Sequence, residues 1–179
     1  MFRVAVFGSW RLEPESLDYR LAHQIGAAAA RRGIAVVTGG YSGVMSAALQ
    51  GSRSAGGVAE AFTCTSLRDV LPVCSAASSV TEFDSIAERA GALVGRADAC
   101  IFFPGRTGTA AELALAVEAR AKAELALPLI LVGDFWRPYF DWLRSSNDSL
   151  HQSADPPSTT SLFEIVHSLD DVERALDKL

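Results

Sequence analysis

Short apolar runs alternate with segments of helical spacing along the whole chain. Runs rich in Val, Ile, Ala and Phe predict strands at 3–8, 34–38, 58–64, 98–103, 128–132 and 163–166. The intervening apolar spacing predicts helices at 14–32, from the turn at 39–43 to about 54, at 82–95, after 108, at 134–145 and from 170. This alternation predicts an α/β fold, a single-domain Rossmann-like parallel sheet with helices on both faces.

Two stretches lack such a pattern. Residues 65–80 show no clear period, and residues 146–161 are rich in Ser, Asp and Pro, which is typical of a mobile surface loop. A chain of 179 residues is large enough to bury a core and predicts one domain over 1–179.

Composition and charge narrow the class of protein. The chain is 49% apolar and 21% charged, as in globular proteins, and no apolar run approaches the roughly 20 residues that span a bilayer. The net charge of −5 argues against a nucleic-acid polymer as partner, since that would need a basic face. The start of the chain lacks the layout of a signal peptide. Three cysteines without a C-x-x-C pair favour a reduced, cytoplasmic protein over a disulfide or zinc scaffold.

The most informative stretch follows the strand predicted at 98–103. A Gly-Thr turn there begins a helix, and it exposes backbone N–H groups at the positive end of the helix dipole, where phosphate binds. Glu112 falls one turn into that helix, so a carboxylate would lie beside the anion. The arrangement points to a phosphorylated sugar or nucleotide as the ligand. The predicted phosphate contacts of this turn are Gly105, Arg106, Thr107, Gly108 and Thr109.

A second glycine turn follows the strand predicted at 34–38. The carboxyl ends of parallel strands meet at one sheet edge, so both turns are expected at the same site. Each turn also has a purely structural interpretation: Ser42 as a helix N-cap, and Thr109 with Glu112 as a capping box. Two such turns at one edge favour the functional interpretation. The residues assigned to the site from this turn are Gly39, Gly40, Gly43 and Met45.

Two arginines are candidates with open alternatives. Arg89 lies in the helix predicted at 82–95, where it is either a site residue or a solvated surface residue. Arg106 lies inside the Gly-Thr turn after the strand predicted at 98–103, where it either clamps a phosphate or points into solvent.

Several familiar sites are excluded. The first strand ends without G-x-G-x-x-G, no Gly-Lys pair supports a Walker A loop, and no G-x-S-x-G elbow occurs. The three histidines are scattered and no His/Asp/Glu set has metal spacing, so no metal is predicted. The only lysines are Lys122 and Lys178, far from the turn, which argues against a pyridoxal phosphate Schiff base.

The motifs Gly39-Gly40-x-x-Gly43-Val44-Met45 and Pro104-Gly105-x-x-Gly108-Thr109-x-x-Glu112 resemble the Lonely Guy (LOG) family, once labelled lysine decarboxylases. Ala87-Glu88-Arg89 is similar to the family's arginine segment, and the resemblance runs from about Val4 to Leu131. It implies a nucleoside 5′-monophosphate phosphoribohydrolase that activates cytokinins, works as a homodimer and needs no cofactor. It also implies catalytic roles for Arg89 and Glu112. Arg106 and Ala90 stand where the family usually has glycine and lysine.

Together with this resemblance, the sequence predicts hydrolysis of the N-glycosidic bond of a purine nucleotide such as AMP, with or without a modification at N6. Glu112 would stabilise the ribosyl cation and activate water, while Arg89 would steer the phosphate or keep Glu112 ionised. Gly8, Ser9 and Met45 would shape the pocket for base and sugar. The alternative is a non-catalytic carrier of a nucleotide or of molybdenum cofactor, which Arg106 favours because it strengthens anion binding without helping water attack.

Overall fold

The computed structural model describes residues 1–122, 126–150 and 163–179, with side chains to residue 145 in the second range. The strands are β1 (Arg3–Phe7), β2 (Ala35–Thr38), β3 (Ala59–Cys64), β4 (Ser79–Phe83), β5 (Ala99–Phe102), β6 (Leu129–Val132) and β7 (Phe163–Val166). The helices are α1 (Leu17–Arg31), α2 (Val44–Ser54), α3 (Ile86–Gly95), α4 (Thr107–Ala121), α5 (Arg137–Leu150) and α6 (Leu169–Leu176), with one 3₁₀ turn at Thr65–Leu67.

The seven strands form one sheet in the order β4-β3-β2-β1-β5-β6-β7, and every neighbouring pair is parallel. The chain builds outward from β1 to β4 on one side and then returns to β5 beside β1. The strand order therefore reverses between β1 and β5. At such a switch point, the crevice at the carboxyl ends of the strands is where α/β proteins bind ligands.

Helices cover both faces of the sheet. On one face, α1, α2 and α6 bury residues such as Ile25, Leu49 and Val172 against the strands. On the other, α3, α4 and α5 bury Leu93, Leu113 and Phe140. Because β1, β2, β5 and β6 are buried on both faces, nearly all their residues are apolar, as the sequence indicates. The predicted α/β fold is confirmed.

The prediction for residues 79–85 is wrong. The structure has strand β4 at Ser79–Phe83, and α3 begins at Ile86 rather than at Glu82. β4 is an exposed edge strand, so it lacks the apolar run that marks the others. The start of α3 is set by a capping box, in which Ser85 accepts from the Glu88 N–H and Glu88 accepts from the Ser85 N–H.

Smaller differences concern other helix ends. α1 begins at Leu17 instead of residue 14, because the Ser16 hydroxyl caps the Tyr19 N–H. α5 continues to Leu150, so the first part of the loop predicted at 146–161 is helical, and the remainder lies outside the described residues. No helix in the described ranges is long and apolar enough to cross a membrane.

Candidate functional site

A cavity of about 330 Å³ lies at the carboxyl edge of the sheet, at the switch point between β1 and β5. Its floor comes from the end of β1 and the turns after β2 and β5, and its upper wall comes from the segment between β3 and α3. The lining residues are Val6, Phe7, Gly8, Ser9, Trp10, Arg11, Gly39, Tyr41, Met45, Leu67, Leu71, Ile86, Arg89, Arg106, Thr107, Gly108, Thr109 and Glu112.

The turn after β5 brings the positive end of α4 to this cavity. Arg106 is the N-cap residue, and Thr107, Gly108 and Thr109 form the first turn. The N–H groups of these three residues donate to no atom of the described residues, as expected for the start of a helix without a side-chain cap. All three residues line the cavity, so they are placed to receive an anion.

Gly105 serves the turn rather than the cavity. A Cβ at this position would lie 2.2 Å from the Thr109 hydroxyl oxygen, so only glycine allows the turn to close against Thr109. Gly105 is absent from the lining. The structure therefore brings four of the five predicted contacts of this turn into the cavity.

Arg89 and Glu112 meet at the cavity as a nearly buried ion pair. Arg89 Nη2 donates to Glu112 Oε1 at 3.2 Å, and the two side chains are only 11% and 10% exposed. The capping-box interpretation of Glu112 is therefore wrong, because its carboxylate contacts Arg89 instead of the start of its own helix. The interpretation of Arg89 as a solvated surface residue is wrong for the same reason.

Burial dominates the electrostatics of this pair. Loss of hydration raises the pKa of Glu112, and the charge and hydrogen bond of Arg89 offset that rise only in part. Arg89 thus favours the ionised form of Glu112, and burial, the larger effect, opposes it. That Arg89 holds Glu112 ionised stays a prediction. Behind the pair, burial and then the Glu112 charge raise the pKa of the Cys100 thiol, so Cys100 stays neutral.

The guanidinium of Arg89 has a confined environment. Its Cζ lies 5.7 Å from the centre of the Tyr41 ring, over the ring face. A Cβ on Gly39 would lie 3.4 Å from Arg89 Nη2 and 2.8 Å from Met45 Sδ, so Gly39 leaves the space that these two side chains use. Arg89 Nε and Nη1 are buried and have no hydrogen-bond partner among the described residues.

The turn after β2 meets the cavity through Gly39 and Tyr41, and Met45 in the first turn of α2 lines it too. Gly40 (φ +79°) and Gly43 (φ +63°) are not in the lining, and each packs against protein. A Cβ would lie 2.6 Å from Ala61 Cβ at Gly40 and 2.2 Å from the Ser9 carbonyl oxygen at Gly43. These two glycines thus serve close packing, which differs from the predicted ligand contacts.

The interpretation of Ser42 as a helix cap is wrong. α2 has Gly43 as its N-cap residue, with no side-chain cap bond. The Ser42 hydroxyl instead donates to the Trp10 carbonyl at 2.8 Å, and the Val44 N–H donates to the Ser9 carbonyl at 3.0 Å. The turn after β2 is therefore bound to the turn after β1.

Ten of the thirteen predicted site residues line the cavity, and Gly40, Gly43 and Gly105 do not. The sequence analysis missed the apolar and aromatic part of the lining. Leu67 and Leu71 come from the stretch at 65–80, whose lack of a clear period gave no signal for a site. The other missed lining residues are Val6, Phe7, Trp10, Arg11, Tyr41 and Ile86.

This fold, with its cavity between two glycine turns, defines a Rossmann-like protein of the LOG/SLOG superfamily. Within that superfamily the chain belongs to the SLOG cluster4 family, whose model matches residues 1–127.

Individual relatives agree with this placement. An uncharacterized protein of Archaeoglobus fulgidus is 28% identical over 135 residues, which is 74% of this chain and 85% of that protein. The molybdenum cofactor carrier protein of Chlamydomonas reinhardtii superposes with a TM-score of 0.74 at 20% identity, over 99% of this chain and 96% of that one. The molybdenum cofactor binding protein of Rippkaea orientalis gives 0.72 at 22% identity, over 99% and 94%. At these identities the two structures demonstrate a shared fold.

Proposed function

We propose that this protein hydrolyses the N-glycosidic bond of a purine nucleoside 5′-monophosphate and releases the free base and ribose 5-phosphate. The observation that carries the proposal is the Arg89–Glu112 pair. It lines the same cavity as the N–H groups at the start of α4 that have no partner in the described part of the chain. A phosphate site and a nearly buried carboxylate within one cavity supply the two functions that this reaction needs.

The 5′-phosphate would bind at the first turn of α4. The N–H groups of Thr107, Gly108 and Thr109 have no partner among the described residues, and a negative group at such a helix end gains about 0.3–2 kcal/mol from the dipole. Arg106 adds a positive charge beside them. These contacts would fix the position of the ribose, and the cavity volume of about 330 Å³ is at the lower end of the range for small-molecule sites.

Glu112 would act on the sugar. When the bond between C1′ and the base nitrogen breaks, its electron pair leaves with the base and positive charge develops on the ribose ring. The Glu112 carboxylate would stabilise that charge and take a proton from the water that adds to C1′, while the departing base gains a proton. Because burial favours the neutral acid, the positive charge of Arg89 supports the ionised form that this step requires.

The test is to incubate the protein with AMP and, separately, with N6-isopentenyl-AMP, and to look for free base by chromatography. The proposal expects base release by the parent. Glu112→Gln, which keeps the shape of the side chain, should lower kcat by about 10²–10⁴-fold and leave AMP affinity within a few-fold. Base release by the Gln variant at the parent rate would remove Glu112 from the chemistry.

Arg89 requires a separate variant, because it contacts Glu112 as well as the cavity. Arg89→Met keeps most of the volume and removes the charge, so we expect a large loss of kcat here too. Normal kinetics in this variant would exclude Arg89 from the mechanism.

The second candidate is a carrier that binds a nucleotide or a nucleotide-like cofactor without cleaving it. Arg106 favours this candidate, because it lines the cavity with no ion-pair partner among the described residues and strengthens anion binding only. Two solved structures with this fold bind or carry molybdenum cofactor. Tight AMP binding without base release in the same incubation would select the carrier.

The expected homodimer and cytoplasmic location stay predictions that accompany this proposal. Light scattering coupled to size-exclusion chromatography would distinguish a dimer from a monomer.

A further inference from the structure

We propose that Tyr41 is a positioning residue. Its ring holds the Arg89 guanidinium so that Nη2 donates to Glu112, while the buried Nε and Nη1 have no acceptor among the described residues. The part of this inference that concerns turnover rests on the proposed function. The geometric part concerns the ligand-free protein and stands independently of it.

Burying the Arg89 side chain removes water from its guanidinium, and this costs free energy. Two of its nitrogens are buried without a hydrogen-bond partner among the described residues, and the side chain is 11% exposed. Buried donors without partners destabilise a fold unless something compensates for the lost hydration. Glu112 accepts one hydrogen bond from Nη2 and leaves the rest of the guanidinium uncompensated.

The Tyr41 ring compensates for part of this cost. Its centre lies 5.7 Å from Arg89 Cζ. A cation that has lost its water is stabilised more by the face of an aromatic ring than a solvent-exposed cation is. The ring thus offers a favourable electrostatic contact that uses none of the five N–H donors. Arg89 keeps its charge inside the site, and two nitrogens are not committed to protein acceptors among the described residues.

The Tyr41 ring is itself held in place by burial and by a hydrogen bond. Tyr41 is only 2% exposed, and its hydroxyl accepts a hydrogen bond from the Cys64 N–H at the end of β3, at 3.1 Å. The neighbouring Gly39 leaves the guanidinium room on another side. The ring is therefore fixed to the sheet, and the orientation of Arg89 follows from the position of the sheet.

Two variants separate this role from a merely structural one. Tyr41→Phe keeps the ring and removes the hydroxyl, so it leaves the Cys64 N–H unpaired. Tyr41→Leu removes both ring and hydroxyl. Both variants should lower the Tm. Only Tyr41→Leu should change the behaviour of Arg89, because the ring at this position is 2% exposed and packing keeps it in place without the hydroxyl.

The ligand-free readout is the Nε–H signal of Arg89 in a ¹⁵N NMR spectrum, assigned by its loss in Arg89→Lys. In the parent and in Tyr41→Phe we expect a ring-shifted signal with slow solvent exchange. In Tyr41→Leu the shift should vanish and the exchange should accelerate about tenfold or more. An unchanged signal in Tyr41→Leu, or an equal change in both variants, would overturn the inference whether or not the protein hydrolyses nucleotides.

The readout under turnover is the split between kcat and KM for AMP. Tyr41→Leu should lower kcat about tenfold with a smaller change in KM, because a freed Arg89 no longer supports the Glu112 carboxylate, and Tyr41→Phe should stay within about twofold. Failure of the parent to release base would count against the proposed function alone, and the NMR result would still decide the role of Tyr41.

Discussion

The two glycine turns at the carboxyl edge of the sheet resemble each other in sequence and differ in what they contact. The turn after β5 presents three N–H groups, unpartnered among the described residues, to the cavity. The turn after β2 places Gly40 and Gly43 against other parts of the protein, where a Cβ would lie 2.6 Å or less from a neighbouring atom. The glycines Gly40 and Gly43 of the turn after β2 therefore serve backbone packing, whereas Gly108 in the turn after β5 faces open space at the start of a helix.

The difference shows what a glycine-rich turn indicates by itself. Glycine is required where another group comes close to the backbone, and that group is either a ligand or another stretch of main chain. At Gly43 the approaching group is the Ser9 carbonyl, whereas a Cβ on Gly108 would have no atom of the described residues within 4 Å. A glycine that faces open space at a helix start is thus the better indicator of a ligand.

The largest expected effect of the comparison is on stability. Gly43→Ala combines a positive φ with a contact of 2.2 Å to the Ser9 carbonyl oxygen, so we expect a loss of about 2–5 kcal/mol in the free energy of unfolding. Urea denaturation measures it. The matched control is Gly56→Ala, which has φ +78° and no atom within 4 Å, and which should lose only about 1–2 kcal/mol. Equal losses would mean that the contact with Ser9 is unimportant.

The next effect is on ligand affinity. Gly108→Ala adds a methyl group at a cavity-lining position where no atom of the described residues opposes it, so AMP affinity should fall about tenfold while the protein stays as stable as the parent. Calorimetric titration measures the affinity. Gly91→Ala is the control, since this α3 glycine also has free space around it but lies outside the lining. Undiminished AMP binding by Gly108→Ala would place the ligand elsewhere.

A third prediction concerns pH and the carboxylate that follows the turn after β5. Burial raises the pKa of folded Glu112 above its unfolded value, so the folded state binds the proton more tightly. Its contribution to stability is therefore fully present below the unfolded pKa and is lost as pH rises through the folded pKa. The free energy of unfolding of the parent, relative to Glu112→Gln, should fall as pH rises above about 4.3, the ordinary pKa of a glutamate, and should level off once pH has passed the folded pKa.

Arg89→Met sharpens this prediction. Without the opposing positive charge, the pKa of Glu112 should rise further. The free energy of unfolding of Arg89→Met, relative to the double variant with Glu112→Gln, should therefore keep falling to higher pH than in the parent background. If instead the parent became more stable relative to Glu112→Gln as pH rises, the charge of Arg89 would outweigh burial in the folded protein.

The smallest expected effect belongs to Arg106, the N-cap residue of α4. Arg106→Ala removes an exposed charge at the anion site, so AMP affinity should fall by about two- to fivefold and should depend less on salt. Titrations at low and high ionic strength measure both changes. Arg20→Ala, which removes an exposed arginine outside the cavity lining, should leave affinity and salt dependence unaltered.

The buried elements were the predictable part of the fold. β1, β2, β5 and β6 are apolar on both faces, so composition alone locates them. β4 was missed because four of its five residues are exposed, and a strand that pairs on one side only needs no apolar run. The spacing of apolar residues reflects which positions are buried, so an exposed edge strand is hard to recognise from it.

The candidate site was predictable where a local motif specifies it. Glu112 and the turn before it follow from a few neighbouring residues. Leu67 and Ile86 could not be assigned, because they reach the cavity from segments outside both motifs and only tertiary structure brings them there. Tyr41 lies inside the assigned turn at 39–43, but the glycine pattern gives no role to the residue between Gly40 and Ser42. The pairing of Arg89 with Glu112 joins α3 to α4 and likewise depends on tertiary packing.

The exposed strand β4 has a consequence for solubility. An open sheet edge offers unpaired backbone groups to strands of other molecules, which is a route to aggregation. Here Glu82 on the edge strand β4 forms an ion pair with Arg68, so both charges lie at the open edge of the sheet. An incoming strand would have to remove water from these charged groups, and such charges on an edge strand oppose edge-to-edge pairing.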